Sequence, residues 1–94
     1  MTGSRVRTFT SDAARHIGEQ IGVLWLQSAF DVEQLRLGME VELEHGLRDH
    51  LTNVTDDEPL VTAKIALAHL REFPDYYTRL EWMEQEARRD SYRR

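Results

Sequence analysis

Apolar side chains recur along this sequence at three- and four-residue intervals, the spacing that lines one face of an α-helix. Ala13, Ile17 and Ile21 form the first stripe. Thr10 is placed to cap it, Asp12 sits where the helix dipole favours an acid, and Gly22 ends it. Val23 to Phe30 is an apolar connection that should lie across the core, anchored by Trp25 and Phe30. Asp31 with Gln34 reads as a capping box that starts a second helix, running to His45 and stopping at Gly46. Residues 47 to 57 lack periodicity and read as a loop. Asp56 or Asp57 then caps a third helix, with Pro59 in its first turn and Leu60, Ala63, Ile65, Ala66, Leu67, Leu70 and Phe73 following. Pro74 disfavours helical geometry in the residue before it, which makes Phe73 a corner. In the fourth helix Tyr76, Leu80, Met83 and Ala87 share a face. The pattern predicts an all-α, single-domain bundle of four helices and no strand, near 11–22, 32–45, 58–73 and 75–90. Residues 1–9 read as a flexible arm and residues 91–94 as a basic tail.

Length and charge narrow this picture. Ninety-four residues supply one small core, so a polar group placed inside it must be satisfied or useful. The net charge of −5 argues against nucleic acid as a partner. The bases cluster only at Arg88, Arg89, Arg93 and Arg94, where cations complement the dipole of the last helix. The absence of cysteine excludes disulfides and thiolate chemistry. No apolar run is long enough for a membrane span, and the first ten residues lack the apolar core of a signal peptide, so a soluble cytoplasmic protein is expected.

The candidate chemistry lies on the inner faces. At 100° per residue, Gly38, Glu42 and His45 fall between the stripe Val32, Leu35, Met39, Leu43 and Val41, whereas Glu40 and Glu44 point to solvent. On the third helix Lys64 and Arg71 mark the wet side. His69 sits within the apolar arc and Glu72 at its edge. Glu42 and His45 from one helix and His69 and Glu72 from the next offer nitrogen and oxygen donors for a divalent metal, zinc, iron or manganese. A dinuclear site of the bundle type would need two chains, hence a homodimer. The alternative is a metal-free interaction module in which Glu42 bonds His69 or Tyr76 and the buried Glu, His and Tyr side chains form a structural network. His16, off its stripe and beside Glu19, reads as solvated. There is neither a nucleophile elbow nor a glycine-rich phosphate loop, and no reaction is assigned. Trp82 points away from the Tyr76 face and is a candidate partner anchor.

Val41-Glu-Leu-Glu-His-Gly46 and Ile65-Ala-Leu-Ala-His-Leu-Arg-Glu-Phe-Pro-Asp-Tyr-Tyr-Thr-Arg-Leu80 together resemble a small bacterial and phage family of uncharacterised domains. Its pattern is VExEH followed by IAxxHLxExPDYYxxL, and the likeness covers residues 9 to 86. The resemblance implies no activity. It implies that Glu42, Glu44, His45, His69, Glu72, Asp75, Tyr76 and Tyr77 occupy recurring motif positions. Asp75 is placed to cap the fourth helix. Tyr76, facing the core, is placed to donate its hydroxyl to Glu42 or Glu72, supporting a metal if one binds.

Overall fold

Residues 8–92 are described by a computed structural model, in which four helices follow one another: α1 (Ser11–Gln20), α2 (Val32–Glu42), α3 (Pro59–Glu72) and α4 (Tyr76–Tyr92). A 3-10 turn, Leu43–His45, extends α2, and the described residues contain no strand. Residues 1–7 of the expected arm and Arg93 and Arg94 of the expected tail lie outside the described residues. Phe9, also expected in the arm, is instead packed against the core, and its N–H donates to Glu40 Oε2 at 3.1 Å.

Local chemistry sets the helix ends. Thr10 Oγ1 accepts from Ala13 N at 3.0 Å and Asp31 Oδ1 from Gln34 N at 3.0 Å, each satisfying a first-turn donor with no partner inside the helix. Gly22, at φ +97°, turns the chain out of α1. The expected cap of α3 is displaced. Asp56 and Asp57 have φ of 54° and 59°, a left-handed conformation that Asp tolerates better than most residues. The cap falls to Glu58, whose Oε1 accepts from Leu60 N at 3.1 Å. Asp57 Oδ1 accepts from Leu47 N at 2.9 Å and lies against Gly46, where a Cβ would collide with it. Phe73 is extended at φ −139°, ψ 114°, the corner that Pro74 demands.

Small residues let the helices approach closely. Ala14, Leu35, Met39, Ala63, Ala66, Leu70 and Tyr77 form the buried cluster. Full burial of the Leu35, Met39 and Leu70 side chains contributes about 1.5–3 kcal/mol each. The Trp25 ring covers Gly18, and the Tyr77 ring covers Gly38 so tightly that a methyl group there would overlap it. Trp25 also donates Nε1–H to the carbonyl of Arg15 at 3.1 Å and meets Phe30 edge-on, so both expected anchors of the connection pack against the core, whereas Leu24 and Leu26 between them point outward and are exposed. On α1 the innermost residues are Ala14 and Gly18, with Ile17 and Ile21 half-buried beside them.

The Cα positions span 46 × 38 × 21 Å with a radius of gyration of 14.5 Å, above the about 12 Å typical of a chain this long. One reason is α4. Tyr77 is buried and Tyr76 and Leu80 half-buried, but residues 81–91 are all exposed. Met83, expected on the inward face, is 55 % exposed, because the side of α4 that lies along α2 runs through Tyr77, Leu80, Glu81 and Glu84, which line one pocket with Leu37 and Val41.

Candidate functional site

Glu42 ends α2 with its side chain turned inward, only 4 % of the residue exposed, while Glu44 two positions on is exposed. The division of this acidic run between core and solvent is as expected for Glu42 and Glu44. Glu40 departs from it. It is half-buried and accepts from Arg36 Nη1 at 2.9 Å as well as from Phe9 N, because the chain at Phe9, just ahead of α1, packs over that face.

A buried carboxylate is costly unless donors or cations replace its water. Tyr77 on α4 supplies the donor, its hydroxyl meeting Glu42 Oε2 at 2.8 Å. Burial first, and then the Glu42 hydrogen bond and charge, push the Tyr77 phenol far above the usual tyrosine range. The group therefore stays protonated and remains a donor to Glu42. Two imidazoles flank the carboxylate. His45 Nε2, from the 3-10 turn, lies 3.7 Å from Oε1, and His69 Nε2, from α3, lies 3.8 Å from Oε2. Both distances exceed a hydrogen bond and become ion pairs when the imidazole is protonated. His45 also stands 4.0 Å from Glu44 Oε1 and is about half exposed. His69 is held on its other side by aromatic rings. Tyr76 stacks on it with centroids 4.3 Å apart and planes 12° from parallel, and Tyr77 meets it edge-on at 6.2 Å.

The structure thus brings Glu42, His45 and His69 together and leaves Glu72 out. Glu72 is exposed at the end of α3 and enters no hydrogen bond or ion pair among the described residues. The inward side of α3 runs through Thr62, Ala63, Ala66 and Leu70, so the position beside Ala68 and Val61 faces water. Among the described residues no three His, Asp or Glu side chains are arranged to hold a metal ion. The tyrosine that bonds Glu42 is Tyr77, where Tyr76 was expected. Asp75 stands apart as well. It accepts from Arg79 Nε at 2.8 Å, and that guanidinium holds its carboxyl below the usual range. Trp82 lies on the projecting part of α4 with 60 % of its surface exposed. The sequence did carry a signal for Tyr77. A glycine at position 38, in the middle of a buried helical face, leaves room that only a large side chain from another element fills.

Both motif segments therefore meet at one carboxylate, with Glu42 from the first and His69, Tyr76 and Tyr77 from the second. Residues 14–86 match a family described as a protein of unknown function, DUF5661. The chain belongs to that family. The DUF5661 match takes in all four helices in whole or in part and every residue of the Glu42 cluster. No curated protein and no solved structure matches the chain. No helix among the described residues is long and apolar enough to cross a membrane.

Proposed function

We propose that this DUF5661 protein is a metal-free interaction module in which the Glu42 cluster is a structural clasp and the projecting end of α4, with Trp82, faces a partner. The observation that carries the reading is the buried Tyr77–Glu42 hydrogen bond. It gives the carboxylate a permanent donor and ties the base of α4 to the end of α2, so the rest of α4 leaves the body in a fixed direction. His69, stacked on Tyr76, ties α3 into the same clasp. In this role the polar groups specify how the helices meet.

Zinc, iron or manganese held by Glu42, His45 and His69 is the competing outcome, and one experiment separates the two. Thermal melting of wild type, Glu42→Gln and His69→Ala is compared in chelator and in each of the three ions, using protein purified without an affinity tag. The clasp predicts that Glu42→Gln lowers stability by about 1–3 kcal/mol with no response to chelator or ion. A wild-type melting temperature that rises with one ion, with the rise lost in His69→Ala, would sink the metal-free reading.

A further inference from the structure

The charges of α4 come in blocks. Glu81, Glu84 and Glu86 follow one another with no base among residues 80–87, and Arg88 and Arg89 come next. The helix dipole does not account for the acids. Its effect is confined to the first and last turns, whereas the first turn of α4 holds no acid and the three glutamates lie in its second and third turns. Residues 81–91 are all exposed, and the one ion pair that α4 enters among the described residues is that of Arg79 with Asp75, at its other end. The side of α4 that lies along α2 runs through Tyr77, Leu80, Glu81 and Glu84. At about 100° per residue, Trp82, Glu86 and Arg89 fall within an arc of about 60° on the far side. An exposed indole, a carboxylate and a guanidinium therefore share one free face.

We propose that this face pairs antiparallel with the same face of a second copy of the chain, Arg89 of each copy lying between Trp82 and Glu86 of the other. Trp82 and Glu86 are one turn apart, about 6 Å along the axis. That spacing lets a guanidinium lie flat on the indole and donate to the carboxylate. A two-fold axis forms the contact twice. Charge decides the orientation, because parallel helices would set one acidic block against the other, whereas antiparallel helices set it against Arg88 and Arg89. The net charge of −5 does not fall on this helix, since residues 76–94 carry five arginines against four acids. The Tyr77–Glu42 hydrogen bond holds the base of α4 in place, so both copies present the face in the same direction. One helix face against its copy stands at the small end of interface sizes, and such a dimer dissociates on dilution. This inference rests on the interaction-module reading and names its partner.

The test is analytical ultracentrifugation of the whole protein from about 10 µM to about 1 mM. The average mass of wild type should rise from one chain towards two, and rise less in high salt, which screens the charges. Arg89→Glu and Glu86→Arg, each alone, should raise the dissociation constant about tenfold or more. An equimolar mixture of the two should dimerise again, because each then meets the opposite charge. Trp82→Ala should weaken the wild-type dimer. All three side chains are exposed, so the variants keep the fold, which far-UV circular dichroism checks. A wild type that stays monomeric at about 1 mM, single variants that dimerise as wild type does, or a mixture no more dimeric than its parts would overturn the pairing. The melting experiments on Glu42 involve none of these side chains, so failure of the pairing leaves the clasp standing.

Discussion

Two stretches in the first half of α4 carry large aromatic or apolar side chains and live in different surroundings. At the base Tyr77 fills the hollow over Gly38 and bonds a buried carboxylate. About one and a half turns on, the large side chains of Trp82 and Met83 are mostly exposed to water. The difference lies in the neighbours. The base has a glycine on α2 to approach and a histidine on α3 to stack against, whereas Trp82 and Met83 lie off the side of α4 that faces α2. An apolar stripe states what a helix can bury, and the position of its neighbours decides how much of it is buried.

The sharpest way to break this comparison is to truncate the base. Tyr77→Ala removes a packed ring and leaves Glu42 without its donor, so chemical denaturation should report a loss of about 3–5 kcal/mol. A loss below about 1 kcal/mol would show that the hollow over Gly38 closes by itself.

A smaller effect separates the ring from its hydroxyl. The folded state holds Tyr77 protonated above its ordinary range, whereas the unfolded chain releases that proton near pH 10. The stabilisation is therefore complete below about pH 10 and falls as the pH rises above it. Tyr77→Phe should flatten this alkaline decline in a series of melts, and an identical slope in both proteins would argue against the bond to Glu42.

The smallest effect belongs to the outer stretch. Trp82→Ala with Met83→Ala should change stability by no more than about 0.5 kcal/mol, as for side chains that touch little. A loss approaching that of Tyr77→Ala, measured by the same denaturation, would mean that the projecting end is covered in solution.

The sequence made the helices and several of their ends readable because those features are local. Thr10, Asp31 and Pro74 act within a few residues of themselves and cap or turn the chain as their chemistry predicts, although the return half of the expected capping box is missing because Gln34 Nε2 donates to Thr78 Oγ1 on α4. Glu42 was separable from Glu44 because a wheel resolves neighbours on one helix. The choice between Tyr76 and Tyr77 was not available in that way. The corner at Phe73 sets the rotation of α4 relative to α2, and the contact that fixes it joins residues 35 positions apart. Glu72 was misplaced for a related reason. The alanines and valine around it are compatible with either side of α3, and only packing against α2 shows that the inward side lies through Ala63, Ala66 and Leu70.

The slab-like proportions carry one more consequence. With Cα positions spanning 21 Å in the thinnest direction, the molecule is about two helices thick, and no side chain owes its dryness to depth. Glu42 is dry because aromatic rings, Tyr77 foremost, lie over it. Because the Tyr77 ring is wedged over Gly38 and delivered by α4, the exclusion of water from the carboxylate depends on α4 keeping its seat on α2.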